Sequence, residues 1–339
     1  MPATESTPPS EHIRLTEEAA EASAHGRLDE AEQKLRELVA WREHSHLPPD
    51  SLSFSNLAGC LLTQGRAEEA CLIGGRALEA ALLNGNPSER GIALLTRGQA
   101  RQALGQLELA IRDLQEAAAL LEPSGSPMAA VQALISLGGA HYLKGDWQSA
   151  EQLWRKALPV LRTLDLPYHL VGLLTNLGGL LHQLDRHSEA AAVLDEAASC
   201  LPAEAKTSSL AAQLRGNRGL ALYAIGRWAE AEADLEEAAS CAMRCGDFAT
   251  AARRHQDLSQ VCQWRGDYEG AIRHQRELMQ LRREHGTTVQ NASAPVVGPV
   301  PSQSELAARR QQLATSGSDT VFRAGGSHRA PGLYTGCSR

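Results

Sequence analysis

The sequence predicts an all-α solenoid, and two regular spacings along the chain carry this prediction. A glycine, or once an aspartate, recurs every 39 to 41 residues, and an alanine stands five positions after each. The turn residues are Gly26, Gly65, Gly105, Gly145, Asp185, Gly226 and Gly266. The alanines are Ala31, Ala70, Ala110, Ala150, Ala190, Ala231 and Ala271. A fixed period of this length indicates stacked units, each burying its apolar face only against its neighbours.

Each unit is predicted to be a helix pair. In residues 129–164, AAVQALISLGGAHYLKGDWQSAEQLWRKALPVLRTL, apolar and small residues recur at three-and-four spacing on both sides of Gly145. This periodicity indicates two amphipathic helices joined by a tight turn. Gly145 lies where the first helix needs a left-handed residue, and Ala150 where the second helix crosses the first too closely for a larger side chain. Turn-forming residues near 48–50, 84–87, 123–127, 165–167 and 202 predict loops between the pairs.

Composition and charge narrow the class of partner. The net charge is −7, and because residues 287–339 carry +3, the remaining residues 1–286 carry −10. An acidic array repels a polyanion, so we do not expect nucleic acid as a partner. The chain has no run of 18 apolar residues and no basic start followed by an apolar stretch, which predicts a cytoplasmic protein without membrane association. Seven cysteines at irregular spacing fit a reducing compartment.

The units resemble tetratricopeptide repeats. The residues that follow the order and spacing of that motif in one unit are Leu137-Gly138, Tyr142 or His141, Gly145, Ala150, Trp154 and Ala157. Seven copies in register cover residues 11–286. The period near 40 is similar to that of long-helix members such as kinesin light chain, Leu-Gly-Asn repeat proteins and bacterial peptide-sensing regulators. The resemblance implies a right-handed superhelical α-solenoid of about seven antiparallel helix pairs.

The two ends of the chain are predicted to lie outside the repeats. Residues 1–10 and the tail 287–339 have too few large apolar residues to offset the entropy of folding, so we expect both to be disordered. Within the tail, SELAARRQQLAT at 304–315 has the pattern of a short helix, which could dock as a cap or in a groove.

Some first-helix positions depart from the family pattern. Arginine replaces the usual apolar residue at four places: Arg97, Arg101, Arg215 and Arg218. Long arginine stems can lie along apolar surface while the guanidinium reaches solvent or an acid. We therefore expect ion pairs with a carboxylate such as Asp113 or Asp234.

The resemblance also implies where a ligand binds. In the family, first helices line a concave face, and the residue nine positions before the turn glycine points into it. Here those positions are Asn56, Thr96, Ser136, Asn176, Asn217 and Asp257. Neighbouring candidates at helical spacing are Leu52, Gln99, Gln132, Gln213, Leu220, Arg253 and Gln260. Because asparagine offers both a donor and an acceptor, this ladder could hold the backbone of an extended peptide. The alternative is that these residues are only the solvated positions of a polar face.

The function predicted from these features is a non-enzymatic scaffold that binds a protein or peptide in its groove. The alternative is a peptide-responsive sensor whose solenoid changes pitch when a ligand binds. A third arrangement, in which several Lys or Arg residues grip a C-terminal carboxylate, is supported only by Arg253. The sequence contains no phosphate loop, nucleophile elbow or zinc-protease signature, so we expect no enzyme activity and no cofactor.

Metal binding is not predicted. Cys241 and Cys245 lie one helical turn apart, and His44 and His46 share a loop. Neither pair has further ligands at the spacing that a four-coordinate site needs. Small helix residues for the cysteines and a solvated turn for the histidines are the simpler interpretations.

Overall fold

Residues 8–286 are described by the structure, which is a computed structural model. Within this range the chain forms fourteen α-helices and no strand. The first eight helices are α1 Pro8–Ala24, α2 Leu28–His44, α3 Ser51–Thr63, α4 Ala67–Asn84, α5 Pro87–Ala103, α6 Leu107–Leu121, α7 Pro127–Lys144 and α8 Trp147–Thr163. The remaining six are α9 Pro167–Gln183, α10 His187–Cys200, α11 Ser209–Ala224, α12 Trp228–Arg244, α13 Phe248–Arg265 and α14 Tyr268–Glu284. The predicted all-α fold of helix pairs is confirmed.

The helices divide into two compact units. The first unit contains α1 to α8, up to Asp165, and the second contains α9 to α14, from Leu166. Within each unit the first helix of a pair packs on the second, and the second packs on the first helix of the next pair. First helices also contact each other, as α3 with α5 and α9 with α11. The predicted stacking is confirmed inside each unit, and the right-handed superhelix stays a prediction.

The ends of the described range differ slightly from the predicted boundaries. Helix α1 begins at Pro8, whereas the repeats were expected from residue 11. Residues 1–7 and the tail 287–339, including the helical pattern at 304–315, lie outside the described residues. None of the helices between residues 8 and 286 is long and apolar enough to span a bilayer.

The turn after each first helix has the predicted conformation. All seven turn residues have a positive φ, from 58° at Asp185 to 87° at Gly145. Glycine adopts this left-handed region without steric cost, and aspartate tolerates it better than most residues. The alanine five positions later is at most 3% exposed in every repeat, so each crossing of the two helices requires a small side chain.

Polar residues of the predicted loops fix where first helices begin. Asp50 accepts a hydrogen bond at 3.0 Å from the backbone N–H of Ser53, and Asn86 accepts one at 3.0 Å from Ser88. These caps satisfy N–H groups that have no partner inside the helix. Pro87 is the first residue of α5, a position where its missing N–H is not needed.

Candidate peptide-binding surface

Helix α3 exposes one narrow stripe of its surface. In α3, Leu52, Asn56 and Thr63 are exposed and Gly59 is partly exposed, whereas the side chains between them are buried except for the partly exposed Leu62. Their spacing of four, three and four residues places them on one face of the helix. Counted from the turn residue, these are positions thirteen, nine, six and two before it. We call the residues at these positions in the first helices the first-helix surface.

An apolar row runs along the first-helix surface of the first unit. At position thirteen before the turn stand Ile13 on α1, Leu52 on α3 and Ile92 on α5. Ile13 is 53% exposed and Leu52 is 41% exposed, while Ile92 is partly buried. Large aliphatic side chains that remain this exposed can be covered by the apolar surface of a partner. The row ends at α7, where Gln132 occupies the same position.

Of the predicted polar ladder in the first unit, the residue on α3 is accessible to a ligand, whereas those on α5 and α7 are buried or already hydrogen-bonded. Asn56 is exposed, but Thr96 is only 8% exposed and donates its hydroxyl to the Ile92 carbonyl at 3.0 Å. The Gln99 amide nitrogen donates to the Ser136 hydroxyl at 2.9 Å, which ties α5 to α7. The structure therefore brings Gln99 and Ser136 together, and their side chains are hydrogen-bonded to each other.

In the second unit, the two asparagines of the ladder are buried. Asn176 is 4% exposed and Asn217 is 3% exposed. The Asn217 side chain donates to the Thr175 carbonyl at 3.3 Å, which fastens α11 to α9. Gln213, one turn earlier on α11, is partly buried. Asn176 and Asn217 are therefore closed to a ligand in this arrangement, whereas Gln213 keeps partial exposure.

The last repeat carries the charged candidates. Asp257 is partly buried and its carboxylate lies 3.2 Å from the guanidinium of Arg254, which is 3% exposed. Arg254 in turn fills the space beside Gly216, because a Cβ there would lie 2.1 Å from the guanidinium. Arg253 is partly exposed on the same helix. Arg253 is therefore the candidate of this repeat that stays accessible as a cation, while Asp257 is engaged by its neighbour.

Sequence reasoning missed three residues of the first-helix surface. Ile13 and Glu17 on α1 are exposed, and Ile92 completes the apolar row. Counting thirteen or nine positions back from Gly26 and Gly105 finds all three. Glu17 also places a negative charge at the start of the surface.

The paired cysteines that raised the question of a metal are bound to backbone. The Cys241 thiol lies 3.5 Å from the Lys206 carbonyl and the Cys245 thiol donates to the Thr207 carbonyl at 3.0 Å. Burial raises the pKa of Cys241, so its thiol keeps its proton. Among residues 8–286, no cluster of His, Cys, Asp or Glu is arranged to hold a metal ion.

Comparison with protein families identifies the repeat. Models of the tetratricopeptide repeat match residues 90–161 and residues 212–242. The first match covers α5 to α8 apart from the ends, and the second covers most of α11 and α12. The chain therefore contains tetratricopeptide repeats, as its motif predicted.

Three solved structures show that the fold occurs in other proteins. The apo form of the quorum sensor NprR from B. thuringiensis superposes with a TM-score of 0.65 at 15% identity, over 81% of this chain and 77% of that chain. A Rap protein complexed with competence and sporulation factor gives 0.62 at 13% identity, over 84% and 78%. BtubC from P. vanneervenii gives 0.56 at 18%, over 70% and 96%. Comparison with curated proteins gave no match. Identities this low establish the fold alone.

Proposed function

We propose that this chain is a non-enzymatic scaffold that binds a segment of a partner protein or peptide on the first-helix surface of its first unit. The observation that carries the proposal is the joint exposure of Leu52 and Asn56, one turn apart on α3. An apolar anchor beside an amide that can donate and accept is the combination that peptide-binding surfaces use. Ile13 and Ile92 extend the apolar part, and Glu17 extends the polar part.

The balance of energies favours the apolar row as the source of affinity. Each net hydrogen bond contributes roughly 0.5 to 1.5 kcal/mol, whereas association costs on the order of 4 to 15 kcal/mol. Complete burial of a leucine or isoleucine contributes about 1.5 to 3 kcal/mol, and Leu52 and Ile13 can gain about half of that because each is half buried already. A partner must therefore supply several apolar side chains, and the amides then fix its register.

Charge defines which partners fit. Glu17 is exposed on the surface and the repeats are acidic overall, so the long-range field favours neutral or basic segments. We propose that Asn176 and Asn217 hold neighbouring repeats together and that ligand contact falls on Asn56, Gln132 and the apolar row. Structural relatives support a peptide as the ligand class, since the Rap protein was solved with competence and sporulation factor.

Selection from a displayed library of random peptides tests this proposal. Peptides selected on the intact chain should bind the Leu52→Ser/Asn56→Ala variant at least about tenfold more weakly, a loss of about 1.4 kcal/mol or more. Leu72→Ser is the matched control. Leu72 is 70% exposed, but it lies on α4, the second helix of its pair, and so outside the first-helix surface. Equal affinity for both variants would place the peptide site elsewhere.

A second candidate is a sensor whose helix pairs change their pitch when the ligand binds. The likeness in fold to the quorum sensor NprR favours it. Small-angle scattering with and without a saturating selected peptide separates the two functions. A sensor should change its radius of gyration, whereas a rigid scaffold should keep it unchanged.

A further inference from the structure

A cavity of about 210 Å³ opens in the first unit, on the side of the second helices. It lies between α2, the loop that follows it, the start of α3, and α4. Its apolar lining consists of Val39, Leu47, Pro49, Phe54, Ala80 and Leu83. None of these residues belongs to the first-helix surface, so this cavity is a separate feature. We call it the α2–α4 pocket.

The size and exposure of the pocket suit one large apolar group. A cavity of about 150 Å³ with similar lining is enough to hold benzene, so this volume accepts an aromatic ring or a branched aliphatic side chain. Leu83 at its mouth is 78% exposed and Leu47 is 37% exposed. A group that enters would cover both, and this burial drives its binding.

The charged residues around the mouth are not equally available. Arg42 donates to the Pro48 carbonyl at 2.9 Å. Arg76 donates to the Glu43 carboxylate at 2.8 Å and lies 4.4 Å above the centre of the Phe54 ring. The charges of Arg76 and Glu43 thus cancel, whereas Arg42 keeps its charge because the carbonyl it binds is neutral.

Two acidic residues complete the rim. Asp50 caps α3 through the backbone N–H of Ser53 at 3.0 Å. Glu79 is exposed on α4 and has no ion-pair or hydrogen-bond partner among the residues that the structure describes. The charged residues of the lining, Arg42, Arg76, Glu43, Asp50 and Glu79, therefore sum to −1.

We propose that the α2–α4 pocket binds a large apolar side chain that has a lysine or arginine beside it in a partner segment. The apolar group fills the cavity, and the neighbouring cation pairs with Glu79. An anionic group is disfavoured because Arg76 is paired with Glu43 and the net charge of the lining is negative. The chain would then hold a partner at two places, one on each kind of helix.

Three small probes with the same ring test the proposal directly. They are 2-phenylethylammonium, 2-phenylethanol and phenylacetate, which are cationic, neutral and anionic. Titrations of the intact chain are followed by NMR through the methyl groups of Leu83. We expect the cation to bind about two- to fivefold more tightly than the alcohol, the range for one exposed ion pair, and phenylacetate to bind most weakly.

Two variants with matched controls assign the contacts. Glu79→Gln should remove the preference for the cation, whereas Glu68→Gln, an exposed acid on the same helix, should keep it. Leu83→Ser should weaken all three probes, whereas Leu82→Ser should not, because Leu82 is 56% exposed but does not line the pocket. The exposure of these side chains lets each variant fold.

Several results would overturn the proposal. One is the absence of any shift at Leu83 with all three probes, and another is a cation preference that survives Glu79→Gln. Leu83 shifts that depend on protein concentration without any probe would assign the pocket to a second copy of the chain.

Discussion

Arg97 on α5 and Asp113 on α6 form a two-pronged ion pair between the helices of one repeat. The Arg97 Nε and Nη2 donate to the two carboxylate oxygens at 2.8 and 2.7 Å. The side chain of Asp113 is 7% exposed and that of Arg97 is 20% exposed. Arg101 donates to the same carboxylate at 2.7 Å. Because Asp113 accepts its hydrogen bonds, the pKa of Arg97 is raised and the guanidinium stays charged.

The pair occupies a fixed position of the repeat, eight residues before and eight after the turn. Arg218 and Asp234 stand at the same position around Gly226, with contacts of 2.6 and 2.7 Å. Around Gly26 the charges are reversed, and the Lys34 ammonium lies 3.0 Å from the Glu18 carboxylate. Three other repeats have apolar pairs there, namely Leu57 with Ile73, Leu137 with Leu153 and Leu177 with Val193. An ion pair therefore replaces an apolar contact between the two helices. Arg215 donates to the Lys206 carbonyl at 2.8 Å, and its guanidinium also lies 3.9 Å from the Glu237 carboxylate.

Breaking the pair on one side should destabilise the first unit strongly. In Asp113→Leu, Arg97 and Arg101 lose their counter-charge at a site with little access to water. We expect the free energy of unfolding in urea to fall by about 3 kcal/mol, the lower end of the range for buried pairs because Arg97 keeps some exposure. The triple variant Arg97→Leu/Arg101→Leu/Asp113→Leu should lie within about 1 kcal/mol of the original chain or above it, since it leaves no cation unpaired and restores the apolar contact.

The exposed pair of Arg90 with Glu116 on the same two helices is the control. Both side chains are 42% exposed, so Glu116→Leu should change the free energy of unfolding by at most about 1 kcal/mol. A triple variant that lost as much as Asp113→Leu would show that the ion pairs themselves stabilise the repeat.

Two glycines should respond oppositely to alanine. A Cβ on Gly138 would lie 2.4 Å from the Trp154 Nε1, which is held by its hydrogen bond to the Ile135 carbonyl at 3.0 Å. Gly138→Ala should therefore lower the free energy of unfolding by roughly 1 to 3 kcal/mol. Gly59 has no atom within 4 Å of such a Cβ, so Gly59→Ala should raise it by up to about 1 kcal/mol through helix propensity. Thermal melting of both variants checks this, and two losses of similar size would contradict it.

The fold was predictable because its causes lie in single residues that recur. A left-handed turn needs glycine or a tolerant residue, and a close crossing needs alanine, so both leave a mark at a fixed period. Even the exception was correctly placed, since Asp185 has a φ of 58°. The ion pairs of Arg97 and Arg218 were predictable for the same reason, because an acid stands at one fixed spacing from each.

The accessible part of the binding surface was harder to predict. Asn56, Asn176 and Asn217 stand at the same position of their repeats, yet Asn56 is exposed and the other two are buried. Register gives the face of a helix, but exposure depends on how closely the neighbouring helix approaches and on which backbone carbonyl it presents. For Asn217 that group is the Thr175 carbonyl, 42 residues away in sequence. A contact of this kind depends on packing between repeats, which the period alone does not encode.

Two histidines meet across the turn between α9 and α10. The Nδ1 atoms of His182 and His187 lie 3.2 Å apart, and their ring centres are 4.8 Å apart. Burial, and secondarily the neighbouring His187, lowers the pKa of His182 to about 4, and burial lowers the pKa of His187. Asp185, whose carboxylate lies 3.7 Å from His187, opposes both shifts only in part. Both rings are therefore neutral at pH 7.

This histidine pair should make the chain less stable in mild acid. Both pKa values are lower in the folded chain than the ordinary value of about 6.5, so the unfolded chain binds more protons as the pH falls from about 6.5 towards 4. Stability is present above that window and is lost within it. Because His182 is partly exposed, we expect it to contribute a loss of about 1 to 2 kcal/mol between pH 7 and pH 5. In urea unfolding of His182→Gln, the free energy of unfolding should fall between pH 7 and pH 5 by less than in the original chain, and the difference should equal this amount. The control is His25→Gln, at an exposed position, whose stability should depend on pH as that of the original chain does. An identical pH dependence in all three proteins would show that His182 titrates alike in the folded and unfolded states.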